Sequence, residues 1–322
     1  MKLFTYQRAK SVDDAIESGG TYLAGGTSLI DLMKLEVLNA NRLTDLGRLD
    51  LRKIQADPKG IKLGALASNT EVANHPDIKQ RWPGISQALL AGASPQLRNV
   101  ATVSGNLLQR TRCAYYRDLA TRCNKRVPGQ GCDALEGWTR MHAVLGTSEK
   151  CIAAHPSDFC VALAALDAIV HVQGPKGERE LPLTELHLLP EDHPEREFAL
   201  NEGELITHVY VPAQPAALKS RYVKARDRQS YAFALASCMA GLEISQGVIR
   251  SARFAMGGVG TKPWRVPAAE QSLVGAAPSR EVFKKAADLA LAGAKPRGEN
   301  AFKAELAKRC VVRALITSSE AA

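Results

Sequence analysis

The order of apolar and polar residues at the start of the chain reads as helix, strand, turn and helix. Ser11 can cap a helix over residues 12 to 18, with Asp13 and Asp14 in the first turn, where the helix dipole favours negative charge. Thr21-Tyr22-Leu23-Ala24 reads as a short strand, Gly25-Gly26-Thr27-Ser28 as a turn, and a helix starts over residues 29 to 34. Residues 42 to 46 give another short strand, so this part predicts a small βαβ-like unit. From Ile54 the pattern changes. Residues 61 to 65 alternate as a strand does, a helix begins at Asn69-Thr70, and another spans 85 to 91. Residues 101 to 106 form a turn of small residues, and residues 109 to 150 show no periodicity. A loop that long inside a compact domain is functional or is held by something. Order resumes with an apolar helix over 159 to 166 and a strand over 168 to 172. Residues 212 to 219 read as a linker. Residues 220 to 224, 232 to 244 and 249 to 259 suggest a final sheet, and 280 to 291 and 302 to 316 two helices.

Composition narrows the class. The chain has 322 residues, 45% of them hydrophobic and 23% charged, enough for two or three packed subdomains. No apolar stretch approaches the roughly 20 residues of a membrane helix, so no membrane insertion is expected. The opening residues Met1 to Tyr6 have no apolar core and no small-residue cleavage site, unlike a signal peptide. Synthesis in the cytoplasm is the expectation, and export would need a partner carrying the signal. The net charge is +9, but Lys and Arg are scattered and aromatic residues make up only 5%, with no alternation of the two. That argues for a solvated surface and against a nucleic-acid partner.

Two turns could approach an anion. In Leu23-Ala24-Gly25-Gly26-Thr27-Ser28-Leu29-Ile30-Asp31 a strand ends, two glycines free the backbone, and a helix begins, so N–H groups could face a pyrophosphate. An ordinary strand–helix turn has the same form, and the GxGxxG fingerprint is absent. Thr102-Val103-Ser104-Gly105-Asn106 offers close backbone approach plus hydroxyl and amide groups.

The cysteines are more specific. Of seven, five fall between positions 113 and 160, which marks a local site rather than a disulfide framework. Cys113, Cys123, Cys132 and Cys151 lie in a glycine-rich basic segment, and four thiolates there could hold zinc or a [4Fe-4S] cluster. Arg112, Arg117, Arg122, Lys125 and Arg126 would offset their charge. Cys160, Cys238 and Cys310 sit in apolar patterns and read as core thiols. In His155-Pro156-Ser157-Asp158, Ser157 or Asp158 can cap the apolar helix. His142, His171 and His193 show no ligand spacing and read as ordinary histidines.

Taken in order, several segments resemble one family. They are Ala24 to Lys34, Ser94-Pro95-Gln96-Leu97-Arg98-Asn99, Ala101 to Gln109, Pro156-Ser157-Asp158, and Tyr222 to Arg228. Together they resemble the FAD-binding subunit of the xanthine dehydrogenase family of molybdenum hydroxylases, over nearly the whole chain. Cys123-Asn124-Lys125-Arg126 and Gly131-Cys132 are similar to the FAD/[4Fe-4S] subunit of bacterial periplasmic aldehyde oxidoreductases. The insertion also resembles, less closely, the flavin subunit of 4-hydroxybenzoyl-CoA reductase.

The resemblance implies an α+β architecture of the PCMH-type FAD-binding fold. A small N-terminal α/β subdomain (1–54) would precede an antiparallel-sheet subdomain (55–215) with an iron–sulfur insertion at about 109–152. A C-terminal sheet-and-helix domain (216–322) would complete it. Leu23 to Asp31 would wrap the FAD pyrophosphate, and Thr102 to Asn106 would follow the phosphates and ribitol. Asp158 would bond the adenosine or ribityl portion, Ile206 would pack on the isoalloxazine, and Lys224 would contact its polar edge. Cys113, Cys123, Cys132 and Cys151 would ligate the [4Fe-4S] cluster. Partners would be a molybdenum-cofactor subunit and a small [2Fe-2S] subunit in a heterotrimer, with electrons leaving to an external acceptor. No substrate chemistry would occur on this chain. The complex would be periplasmic, co-exported on a partner's signal, with a cytoplasmic site as the alternative. The family pattern departs at Ser104, where a glycine is usual; serine fits if the backbone there does not need positive φ. Two rival functions remain at this stage: a flavin subunit of an aryl-CoA reductase, and a colourless, zinc-stapled binding module that is not an enzyme.

Overall fold

A computed structural model describes residues 1–321. Strands β1 (Thr5–Arg8), β2 (Thr21–Leu23) and β3 (Arg42–Asp45) form a parallel sheet in the order β1-β3-β2. The helix Val12–Ser18 joins β1 to β2, and the Asp14 N–H donates to the Ser11 side chain at 3.0 Å. The sequence pattern did not announce β1. Its residues are mostly exposed, so nothing alternates, and pairing with β3 alone makes it a strand.

The middle sheet is antiparallel: β4 (Ile54–Asp57), β5 (Gly60–Gly64), β6 (Ile169–Gly174), β7 (Gly177–Pro182) and β8 (Leu205–Pro212), in the order β4-β5-β8-β6-β7. The edge strands β4 and β7 are largely exposed. About a hundred residues separate β5 from β6, and their helices cover one face. Asn69–Asn74 starts with a reciprocal capping box between Ser68 and Glu71. The core there includes Ile61, Trp82, Phe159, Val170 and Val209.

The third sheet, β9 (Arg221–Ala225), β10 (Ala236–Ser245) and β11 (Val248–Gly257), runs antiparallel in the order β11-β10-β9. Strand β10 is buried on both sides, and its period of two divides it between two cores. Ala236, Cys238, Ala240 and Leu242 join the C-terminal core with the helices Arg280–Ala290 and Phe302–Glu320, while Met239 joins the core of the middle unit. This sheet is therefore a shared wall.

Two expectations need correction. Residues 212 to 219 are not a slack linker: they contain the helix Pro215–Leu218, with Ala216 and Ala217 buried. A Cβ on Gly241 would lie 2.2 Å from the Ala216 carbonyl oxygen, so that helix rests directly on β10. Residues 102 to 106 are not a plain turn. The Gly105 N–H donates to Thr102 Oγ1 at 3.2 Å and starts the short helix Val103–Leu107, whose Val103 and Leu107 fill the core. Within 109 to 150 the regular pieces are the helix Ala114–Arg117 and a single 3-10 turn, Asp133–Leu135. No helix among the described residues is long and apolar enough to cross a membrane.

Candidate functional site

The first glycine turn and the Thr102 helix start meet at one cavity of about 200 Å³. Ala24 to Leu29 form one wall, Thr102, Ser104 and Gly105 another, and Ile206 of β8 lies on a third. Among the described residues, the N–H groups of Thr27 and Ser28 donate to no backbone carbonyl, so they are free for a ligand. Gly25 is needed for room: a Cβ there would lie 2.0 Å from the Val100 carbonyl oxygen. Gly26 is needed for conformation, with φ of 73°. Ser104 sits in the helix without positive φ, and its hydroxyl donates to the Ala65 carbonyl at 3.0 Å, which explains how serine stands where glycine is usual.

Other residues expected here lie just outside the wall. Leu23, at the end of β2, and Ile30, in the helix Leu29–Lys34, pack with Met33 and Leu43. Val103 is in the core. Asp31 points away from the cavity and is held by Arg112 at 3.2 Å and Arg117 at 2.7 Å, both from the cysteine segment. Asn106 Oδ1 accepts from Ser157 Oγ at 2.6 Å and from Gln109 Nε2 at 2.7 Å, which ties the second turn to the Pro156-Ser157-Asp158 segment. The wall also includes Tyr22, Arg110 and Glu204, which had no motif to mark them.

Asp158 and Lys224 come together in a polar knot. Lys224 Nζ donates to Asp158 Oδ2 at 2.7 Å and to the Ala91 carbonyl at 3.1 Å, and Tyr222 Oη donates to Asp158 Oδ1 at 2.5 Å. The two charged side chains are 9% and 4% exposed. Burial, and then the neighbouring carboxylate, hold the Tyr222 phenol well above its ordinary pKa, so it stays a donor.

The four cysteines converge from loops 38 residues apart at the extremes, positions 113 and 151. Cys123 and Cys132 face each other in an isolated antiparallel bridge. Burial pushes the Cys113 thiol up to about 12, with the charges of Cys151 and Cys123 adding to it. Burial pushes Cys151 up to about 11, and raises Cys132. Burial and neighbouring thiolate charge oppose ionisation of Cys113, Cys132 and Cys151, and a cation bound among the cysteines would offset that cost. All four are free of disulfides. Basic residues expected to offset them are engaged elsewhere: Arg117 and Arg112 on Asp31, Arg122 on Asp133, and Arg126 on backbone carbonyls. Lys125 faces Glu197 at 3.1 Å and lowers the Cys151 pKa. His142 is the residue the spacing missed: its Nε2 lies 3.1 Å from Cys113 Sγ. A cavity of about 150 Å³ reaches from Cys113 and His142 to Asp158.

A second group, His155, Cys160 and His187, also has metal-ligand types with their atoms within 4.8 Å. Its hydrogen bonds favour another reading. His187 Nε2 donates to the Leu107 carbonyl at 2.9 Å, leaving Nδ1 bare, while His155 Nδ1 accepts from the Ser157 N–H at 3.3 Å, leaving the proton on Nε2. The two rings thus present one donor and one acceptor, not two lone pairs.

Residues 2–214 match the family of FAD-binding domains in molybdopterin dehydrogenases, and residues 221–318 match the C-terminal domain of carbon monoxide dehydrogenase flavoproteins. The chain belongs to this family of flavin-binding medium subunits, and it is an oxidoreductase component. It is 47% identical to the aldehyde oxidoreductase FAD-binding subunit PaoB of Escherichia coli strain K12, over 98% of each chain. It is 25% identical to the carbon monoxide dehydrogenase medium chain of Hydrogenophaga pseudoflava, over 97% of this chain and 96% of that one. A Cu,Mo-CO dehydrogenase shares the fold, with a TM-score of 0.78 at 23% identity, over 100% of this chain and 99% of the other.

Proposed function

We propose that this chain is the FAD- and [4Fe-4S]-carrying electron-transfer subunit of a heterotrimeric molybdenum-containing aldehyde oxidoreductase. The observation that carries the reading is the meeting of two small-residue turns and Ile206 at one cavity, in a chain 47% identical to an aldehyde oxidoreductase FAD-binding subunit. A molybdenum-cofactor partner would convert aldehyde and water to carboxylic acid, releasing two electrons and two protons. A small [2Fe-2S] partner would carry the electrons to this chain, and an external acceptor would take them away.

FAD, when bound, supplies the two-electron to one-electron exchange between these centres. Thr27 and Ser28 would donate backbone hydrogen bonds to its diphosphate, with Gly25 and Gly26 giving room and turn. Thr102 to Asn106 would run beside the phosphates and ribitol, and Ile206 would exclude water from one ring face. Lys224, held by Asp158, would keep a positive charge near the flavin's polar edge and so favour the anionic reduced form.

Cys113, Cys123, Cys132 and Cys151 would ligate the cluster. Four thiolate donors suit either a [4Fe-4S] cluster or zinc, and the resemblance of the segment to FAD/[4Fe-4S] subunits supports the cluster. We propose that the complex is periplasmic; fractionation that recovers it in the cytoplasm would move it there.

The test is an anaerobic absorption spectrum of the purified complex with iron and zinc analysis of this chain. Flavin bands and about four irons on the chain, as a [4Fe-4S] site with four cysteine ligands requires, are expected. Flavin with zinc and no iron would remove the cluster, and neither flavin nor iron would remove the reading. Turnover of an aryl-CoA thioester with no aldehyde oxidation would assign the reductase direction instead.

A further inference from the structure

The cysteine segment has a fifth member. His142 is 4% exposed, and only its Nε2 has a neighbour, Cys113 Sγ at 3.1 Å; Nδ1 is buried with no hydrogen-bond partner. The ring is held in place from behind. The His142 N–H donates to the Thr139 carbonyl at 2.8 Å. Lys303, fully buried in the C-terminal helix, donates through Nζ to the carbonyls of His142 at 2.9 Å, Met141 at 3.2 Å and Gly258 at 2.6 Å. Thr139 in turn is bonded to Arg297 and Glu299, so the backbone under the ring is pinned to the C-terminal domain.

A cluster-bound cysteine is a thiolate and only accepts hydrogen bonds. A bare ring nitrogen against it at 3.1 Å would set two lone pairs face to face. Nε2 therefore carries the proton and donates it, and Nδ1 is the bare nitrogen, which agrees with its having no partner.

We infer that His142 is a positioning residue for the [4Fe-4S] cluster, whose Nε2–H hydrogen bond to Cys113 Sγ raises the cluster's reduction potential. The inference rests on the reading of the four cysteines as ligands. Reduction adds negative charge that spreads onto the sulfurs, so a donor there stabilises the reduced state more than the oxidised one. His142 acts through Cys113 and does not itself touch iron.

The experiment compares the assembled wild-type complex with His142→Ala and His142→Gln. Iron is counted, and the reduced cluster's paramagnetic signal is followed in a mediated redox titration. The expected result is about four irons in every protein beyond those of the small [2Fe-2S] partner, the content of one [4Fe-4S] cluster on four cysteines. The potential should be lowered in His142→Ala and partly restored in His142→Gln, whose amide can donate to the same sulfur. An unchanged potential in iron-replete His142→Ala overturns the inference. Iron lost from both His142 variants but kept in Cys113→Ser also overturns it, because the histidine would then be the ligand. Wild-type complex with no iron beyond that of the [2Fe-2S] partner is a different failure: it removes the cluster reading, and the inference falls with it.

Discussion

Gly25 and Gly26 stand side by side at the proposed diphosphate turn, and the structure predicts that they fail differently. At Gly26 the backbone is left-handed, so alanine incurs conformational strain of roughly 1–2 kcal/mol. Its Cβ would meet only side-chain atoms that can give by a few tenths of an ångström, Ile30 Cγ1 at 3.1 Å and Leu23 Cδ1 at 3.3 Å. At Gly25 φ is ordinary, and the obstacle is backbone: the Val100 carbonyl oxygen at 2.0 Å and its carbon at 2.9 Å. To restore van der Waals distance, the end of the helix Pro95–Val100 must retreat by about 1.4 Å, and overpacking of this kind costs about 1–3 kcal/mol or more. Ala101 and Thr102 follow directly, so the retreat moves the facing wall of the cavity too. The expectation is that Gly25→Ala weakens FAD binding by about 5- to 150-fold, at 1.4 kcal/mol per factor of ten. Gly26→Ala should weaken it by no more than about 30-fold on the same scale. The assay is fluorescence titration of the deflavinated complex with FAD, with a thermal melt of each variant. A Gly25→Ala complex that binds FAD within threefold of wild type would refute the steric argument.

Three further outcomes follow from the site. Lys224→Met leaves the Asp158 carboxylate buried without its cation, and breaking such a pair typically destabilises by about 3–5 kcal/mol; a melt within 1 kcal/mol of wild type would show that the knot is not structural. Cys132→Ser should lose the chain's iron or fail to assemble, and unchanged iron in a stable variant would strike Cys132 from the ligands. Glu204, on the cavity wall, is held down to about 2 chiefly by its hydrogen bonds with Arg179, then by Asn201. Its folded pKa lies below the unfolded value, so its stabilisation is complete above about pH 4.5 and is lost as the pH falls toward 2. With Arg179 over a third exposed, the contribution is about 1–2 kcal/mol after screening. Glu204→Gln should flatten this acid limb of the stability–pH profile, read by thermal melts, and an identical limb in the variant would dismiss the group.

The first of the two turns that line the cavity was legible in the sequence because its residue pattern is local. A strand, two adjacent glycines and a following helix are readable at the first turn without knowing what lies opposite, whereas the second read only as a run of small residues. The sequence carried β10 and the C-terminal helices because long apolar patterns survive any packing. It did not carry β1, whose residues are mostly exposed and whose pairing is non-local. Nor did it carry the Pro215–Leu218 helix, where the proline and small residues that suggest a linker are what let that turn lie on β10. His142 was dismissed for want of ligand spacing, and its meeting with Cys113 depends on Lys303, some 160 residues further on. Asp31 was assigned to the flavin by its motif, while its actual partners are arginines of the cysteine segment.

That last pairing has a consequence for how the molecule matures. The segment that gathers the cysteines also grips the helix behind the flavin turn through Asp31, the middle sheet's far loop through Glu197, and the C-terminal domain through Thr139. With the cluster proposed above, a chain lacking it would have four unligated cysteines where these three grips originate. Whatever orders that segment also tightens the flavin turn, and by reciprocity a seated flavin favours the ordered segment. On that proposal each loading would favour the other, and a half-loaded chain would be the less compact, more easily proteolysed form.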